Sequence, residues 1–286
     1  MKAARGSPGP RGRRSAFGAG ALAAAALLAG CATAHNYLEP GGPRWEGAAG
    51  VPPDRPPGGP IRVVTFNIAY AKQITEAIAA LRAPPLLGAD VVTLQEMDAP
   101  GVAAVAEGLR MNYVYYPASR HPGTGRDFGN AILSPWPIEA SHKVLLPGRS
   151  RGMHQGRAAV AATLRVAGRA VAVYSVHLTS PWGMGGGGRA RQADAVLADA
   201  ESLAVPVIVA GDFNSSGIGE RFRARGYAWP TRKVGHTAGP FSFDHIFARG
   251  LALPDAASVA VARAGPRASD HWPVWAVLAE GGPAPP

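Results

Sequence analysis

VPVIVAGDFN, residues 205–214, runs Val207, Ile208, Val209 and Ala210 into an abrupt polar end, Gly211-Asp212-Phe213-Asn214. A short apolar run bounded by turn residues reads as a strand buried on both faces, as in the interior of an α/β sheet. On its N-terminal side, Arg189–Leu203 sets Ala193, Val196, Leu197 and Ala200 at helical spacing. Before that, Ala158–Val166 and Arg169–Leu178 read as strands joined through Ala167-Gly168, a hairpin. Further out, Ile61–Ile68 (IRVVTFNI), Asp90–Gln95 and Phe128–Leu133 are strands. Lys72–Arg82 and Gly101–Arg110 are helices, the first ending before Pro84-Pro85. On the C-terminal side, Phe241–Phe247 and Trp272–Leu278 add two more strands. Strands interleaved with helices, with at least one hairpin, predict a mixed α/β sheet rather than a doubly wound one.

The polar residues collect at the strand ends. Asn67 closes the first strand and Glu96 the second, and His177 ends Val171–Val176. Asp212 and Asn214 follow Val205–Ala210, Asp244 interrupts Phe241–Phe247, and Asp270-His271 precedes Trp272. Each alone is an ordinary cap, turn or surface charge. Together, at the ends where α/β sheets build sites, they form one inventory. Carboxylate and amide oxygens are hard donors suited to Mg²⁺ or Mn²⁺, and two histidines hold phosphate charge or move protons. That inventory fits metal-assisted attack of water on a phosphate ester.

The motif order resembles the endonuclease/exonuclease/phosphatase superfamily, the DNase I-like fold. The resemblance rests on Thr65-Phe66-Asn67, Gln95-Glu96, Gly129 to Ser134, Val176-His177-Leu178, Gly211 to Asn214, Phe243 to Phe247, and Ser269 to Val274. It implies a two-sheet α/β sandwich flanked by helices over residues 61–280. It also implies that Glu96 is the main metal ligand, helped by Asn67 and Asp270. Asp212 would then orient or deprotonate the attacking water, and Asn214 would hold the scissile phosphate. His177 and His271 would stabilise phosphoryl oxygens or protonate the leaving group, and Asp244 would fix the tautomer of His271. Two positions depart from the pattern. Asn130 stands where DNase I-like members carry an acid beside the first histidine, and Tyr70 where some carry a metal-touching acid. Asn130 and Arg157 are expected to contact substrate. His35, His121, His142, His154, His236 and His245 match nothing in the pattern, and Tyr113, Tyr115 and Tyr116 read as packing.

Charge and composition bound the rest. Of 286 residues 47% are hydrophobic and 17% charged, which excludes a disordered chain. A single cysteine excludes intrachain disulfides and CxxC zinc sites. Lys2, Arg5, Arg11, Arg13 and Arg14 carry half of the net charge of +10. The uncharged stretch after them ends in Leu28-Ala29-Gly30-Cys31, which resembles the lipobox of bacterial lipoproteins. That implies a signal peptide over 1–30, a lipid on Cys31 and an extracytoplasmic, membrane-anchored protein, with the outer membrane preferred. Thirteen of the 21 residues from Pro40 to Pro60 are Pro or Gly. Residues 31–60 are therefore expected to be a tether reaching roughly 90 Å, and 281–286 a loose tail. PWGMGGGG, Pro181–Gly188, is expected to be a mobile flap carrying Trp182. The chain is expected to act as a monomer on nucleic acid or on a lipid or inositol headgroup. The rival expectation is a non-catalytic surface lipoprotein that uses the same fold for binding.

Overall fold

The computed structural model describes Met1 and residues 33–263 and 267–280. Cys31, the signal segment and the tail lie outside the described residues.

Among them the strands form two sheets. The larger carries β1 (His35–Asn36), β2 (Trp45–Gly47), β3 (Ile61–Asn67), β4 (Val91–Met97), β5 (Asn112–Arg120), β6 (Asp127–Ser134), β12 (Leu251–Ala252), β13 (Val259–Val261) and β14 (Val274–Glu280). Its order is β1-β5-β6-β4-β3-β14-β12, with β2 also on β5 and β13 on β14. The smaller has the order β11-β10-β9-β8-β7, from β7 (Ile138–Leu146), β8 (Arg157–Val166), β9 (Arg169–His177), β10 (Val207–Asp212) and β11 (Asp244–Arg249). Only β3 with β4 and β9 with β10 run parallel among these pairings. The sheets face each other, and helices cover their outer faces. This is the two-sheet DNase I-like sandwich.

The apolar runs split by parity between two layers. Ile61 and Val63 of β3, Val171 and Val173 of β9, and Ile208 and Ala210 of β10 enter the core between the sheets. Val64 and Phe66 point the other way, against α1 (Ile74–Leu81) and α2 (Ala99–Leu109). Tyr174, Val207 and Val209 pack against Val196 and Leu197 of α3 (Gly186–Glu201). Strands covered on both faces have no polar side to show, so their sequences are continuous apolar runs.

Four expectations need correcting. Residues 33–60 are not a free tether. β1 and β2 pair with β5, Lys143 donates to the carbonyls of Tyr37 and Gly42, and Arg55 pairs with Asp90. Proline excludes a segment from the middle of a sheet, not from its edge, and β5 offered an edge. The domain therefore begins near Thr33, not Ile61.

The glycine run is likewise not a flap. Gly185 caps α3 and Gly186–Gly188 form its first turn. The helix is pinned by Gln192, whose Oε1 accepts from Thr179 N at 3.0 Å and whose Nε2 donates to Thr179 Oγ1 at 3.1 Å. Asp244 does not interrupt a strand but begins one. β7 carries no clean alternation and was not foreseen; it is an edge strand whose exposed residues are polar and apolar by turns.

Candidate active site

The two sheets deliver their polar ends to one place. β3 ends at Asn67, and the chain then turns through Ala69, Tyr70 and Ala71 at φ 42°, 63° and 51°. This left-handed stretch directs two amides inward: Ala69 N donates to Asn67 Oδ1 (3.0 Å) and Tyr70 N to Glu96 Oε2 (3.2 Å). Glu96 sits where the β4–β6 register slips between Leu94 and Met97, with φ 60°. A bulge re-aims its side chain out of the strand's alternation, at a backbone cost of about 1–3 kcal/mol.

In the smaller sheet the register sets Asp212 opposite both His177 and Asp244, so three functional groups share one row. Gly211 makes this row possible. A Cβ there would lie 1.9 Å from Val176 O, so no other residue could precede Asp212. His271 comes from the loop before β14. Its amide donates to Ser269 Oγ (3.1 Å), and the next residue, Trp272, donates from its amide to Thr237 O (2.8 Å).

The contacts fall into two groups. In the first, His271 Nδ1 and Asp244 Oδ2 are 2.8 Å apart, and His271 Nε2 faces Asp212 Oδ2 at 3.7 Å. Asp212 Oδ1 accepts from Asn214 N at 2.8 Å. Burial alone would lower the His271 pKa, but Asp244 and Asp212 together raise it to about 10. Burial pushes Asp212 up to about 7 against the pull of His271, with Asp244 adding to the rise.

In the second group, Asn67 Nδ2 donates to Glu96 Oε1 (3.2 Å) and to Asp212 Oδ2 (3.1 Å). His177 Nε2 lies 3.5 Å from Asp212 Oδ2 and 3.9 Å from Glu96 Oε1. Its Nδ1 is buried without a partner among the described residues, as are Nε and one Nη of Arg157. The guanidinium lies 4.6 Å above the Phe128 ring, and Phe128 is 5.7 Å from the His177 ring. Burial, then Arg157 and His271, hold His177 well below the ordinary histidine value, so it is neutral. Burial raises the Glu96 carboxyl, opposed mainly by the Asn67 hydrogen bond.

The residues expected from sequence thus converge, with four qualifications. Asn130 is not presented to a substrate from solvent. It is 2% exposed, and its Nδ2 donates to the carbonyls of Ala158 (2.8 Å) and Ser175 (3.3 Å), joining the sheets. An amide nitrogen can bridge two backbone oxygens where a carboxylate would be repelled. The Asn214 side chain donates to Leu178 O (3.0 Å), bracing the turn after β10. Asn67 turns its amide nitrogen to the carboxylates and its oxygen to Ala69 N, away from a cation held by Glu96. Asp270 is exposed at the rim, its charge acting on Glu96 and Tyr70.

Sequence reasoning missed the wall beside Arg157. Tyr70 and His121 meet edge to face at 4.8 Å, and both rings lie tilted against Phe128, at 5.6 and 5.8 Å. His121 carried no motif signal; its place follows from the β5–β6 turn.

Asp212, Asp244 and His271 can bring one ligand atom each within 4.8 Å of one another. Asp244 and His271 already bond each other, and Asp212 faces His271 Nε2 at 3.7 Å, so the three form a chain of alternating charges rather than a cage. The better fit for a hard cation is Glu96, a largely buried carboxylate with two long hydrogen bonds and no salt bridge to Lys or Arg among the described residues, facing the charge of Asp270.

Residues 64–271 match the Endonuclease/Exonuclease/phosphatase family. No curated protein sequence matches. Among solved structures, an endonuclease/exonuclease/phosphatase from Beutenbergia cavernae DSM 12333 is 23% identical at TM-score 0.63, over 78% of this chain and 72% of that one. The human Nocturnin catalytic domain with bound sulfate anion is 18% identical at TM-score 0.57, over 78% and 95%. D. rerio TDP2 complexed with single strand DNA product is 16% identical at TM-score 0.56, over 77% and 99%.

Proposed function

The chain belongs to the endonuclease/exonuclease/phosphatase family, and from that membership we propose that it is a Mg²⁺- or Mn²⁺-dependent hydrolase of phosphate esters; separately, the lipobox-like Leu28-Ala29-Gly30-Cys31 supports anchoring outside the cytoplasm through a lipid on Cys31. The observation that carries the reading is that Arg157, with buried nitrogens that find no partner among the described residues, lies within reach of the charges of Glu96 and Asp212, beside the Asp212–His271–Asp244 chain. An unpaired buried guanidinium is costly unless an anion completes it. The sulfate in human Nocturnin and the DNA product in D. rerio TDP2 are anions of the matching kind on the same fold.

The chemistry follows from the two groups of contacts. Asp212, with a pKa near 7, takes the proton of the attacking water. His271 stays protonated against Asp244 and gives charge or a proton to the phosphoryl group. Neutral His177 and Arg157 bind phosphoryl oxygens from the other side. Glu96 and Asp270 would hold the metal, which supplies charge stabilisation to the phosphate when bound. Substrates are phosphodiesters or phosphomonoesters of nucleic acid or of lipid and inositol headgroups.

The test is hydrolysis of bis-p-nitrophenyl phosphate with and without chelator, followed by plasmid DNA, RNA, sphingomyelin and inositol phosphates. Activity that needs Mg²⁺ or Mn²⁺ is expected. Full activity in excess EDTA, or none on any substrate with metal present, overturns the reading.

A further inference from the structure

The rim of the site carries an arc of side chains that catalysis does not use. Met153, Trp182 and Phe241 are 40%, 73% and 42% exposed. They are held in one arc by backbone contacts rather than scattered. Ala34 N donates to Met153 O (2.8 Å), Met153 N to Arg151 O (3.0 Å), and Arg151 N to Gly183 O (2.8 Å). Trp182 meets Phe241 edge to face at 6.2 Å, and Phe241 stacks on Phe243 at 4.8 Å. Phe243 precedes Asp244, and Ala238 bridges to both Phe241 and His271. The arc therefore runs up to His271, and backbone hydrogen bonds set the spacing of its apolar tips.

We propose that this rim is a docking surface for a bilayer bearing anionic headgroups, which presses the mouth of the site against the membrane. Two further observations choose this occupant. The first is charge. Residues 147–157 hold Arg149, Arg151 and Arg157, residues 179–192 hold Arg189 and Arg191, and neither stretch has an acid. Arg149 and Arg151 are exposed and pair with no carboxylate among the described residues. Exposed apolar tips ringed by free arginines match the boundary between acyl chains and anionic headgroups.

The second is where the chain enters the domain. Thr33 lies two residues after Cys31, a span of at most about 7 Å. His35 and Asn36 pair with Arg120 and Ser119 at the end of β5. Asn36 then accepts from Gly156 N (2.6 Å) and donates to His154 O (2.9 Å), immediately before Arg157. The docked arm removes the roughly 90 Å of slack that a free tether would give. A lipid on Cys31 would hold this rim, rather than the far side, at the membrane. Nucleic acid would also meet arginines, but Met153 offers no stacking plane and the point of chain entry would be irrelevant to it.

Docking rests on the proposed anchoring for its geometry and on the phosphoesterase reading only for what the docked site does. Binding is therefore measured without turnover. The full chain in EDTA is sedimented with vesicles of phosphatidylcholine containing phosphatidylglycerol, and with pure phosphatidylcholine. Arg149→Gln with Arg151→Gln should weaken binding to the anionic vesicles by roughly thirtyfold. Trp182→Ala should weaken it by about tenfold. Brominated lipid should quench wild-type fluorescence, and Trp182→Phe should lose that quenching while thermal unfolding is unchanged. Hydrolysis of bis-p-nitrophenyl phosphate with metal should stay within about twofold of wild type in Trp182→Ala, since a soluble diester needs no docking. Wild-type vesicle binding in both variants overturns the proposal. So does loss of single-stranded DNA binding with vesicle binding intact. A wild-type chain that binds vesicles but hydrolyses nothing would strike the phosphoesterase reading and leave docking standing.

Discussion

The two halves of the site are built to different degrees of completeness. Around Asp212, Asp244 and His271 charges alternate, each side chain has a partner, and only Asp244 Oδ1 is left over. Around Glu96, His177 and Arg157 the groups are just as buried, yet His177 Nδ1 and two Arg157 nitrogens have none. Glu96 is raised by burial, as expected of a carboxylate short of positive charge. A protein that leaves buried polar groups open gives up stability for them. On the proposed function, the difference would separate a half that moves protons from a half that ligand and metal complete.

The largest effects should come from the completed half. His271→Ala should lower the rate by about 10²–10⁴-fold with the fold intact, since a charge-stabilising or proton-transferring group is lost. Asp212→Ala should do the same. Wild-type-like turnover in either variant would mean that this half is structural. Asp244→Asn is gentler and more informative. An amide keeps the shape of the 2.8 Å contact but removes the charge that lifts His271 to about 10. Activity should fall by about 10–100-fold, and the His271 titration, followed by NMR, should move down toward the ordinary histidine range. An unmoved titration would show that Asp212 alone supports the imidazolium.

Most of this division could be read from sequence, and the part that could not has a physical cause. Asp212 and His271 stand in polar ends of apolar strands, where a hydrophobic run makes a carboxylate or imidazole conspicuous. The row His177–Asp212–Asp244 could not be seen, because it depends on the register of two strand pairs far apart in sequence. Asn130 was misread because strand position places an amide without saying which oxygens it meets. The arm of residues 33–60 was misread for the opposite reason. Proline and glycine erase periodicity, and what docks it is two strands of two and three residues on β5 and single side chains such as Lys143 and Asn36. The glycines of α3 look like a hinge until Gly188 is seen packed against Met184, where a Cβ would lie 2.5 Å from its sulfur.

The open half should answer mutation differently. Glu96→Gln should raise the metal concentration for half-maximal rate by at least about tenfold, because a neutral amide oxygen is a weaker ligand for a hard cation. In EDTA the same variant should be more stable than wild type, by about 1–2 kcal/mol at neutral pH, since a poorly compensated buried charge is removed. A carboxyl whose folded pKa is raised opposes folding in full above that pKa, and the penalty fades as pH falls from there to the unfolded value. The gain should therefore shrink as pH falls and Glu96 takes up its proton. Thermal unfolding across pH measures it. A Glu96→Gln protein less stable than wild type in EDTA would mean that the open half is already complete.

The smallest effect is expected away from the site, and it calibrates the others. His142 on β7 contacts Asp199 of α3 at 2.9 Å, and Tyr174 donates to the same carboxylate oxygen at 2.7 Å. Every partner is in place, as in the completed half, but the His142 side chain is 56% exposed. The hydrogen bond to Asp199, against some burial, raises His142, while the His142 and Tyr174 hydrogen bonds outweigh burial to lower Asp199. A raised histidine stabilises the fold below its unfolded value, about 6.5, and the benefit is lost as pH rises through its folded value. A lowered aspartate stabilises above about 3.9 and loses the benefit as pH falls through its folded value. The pair should therefore be worth most between about pH 4 and 6.5, and water and salt should limit it to about 0.2–1 kcal/mol. Subtracting the unfolding free energies of His142→Ala from wild type across pH should give a low plateau in that window, falling on both sides, with hydrolysis unchanged. A loss well above about 1 kcal/mol would mean that pairing alone sets the energy. The contrast within the site would then owe nothing to burial.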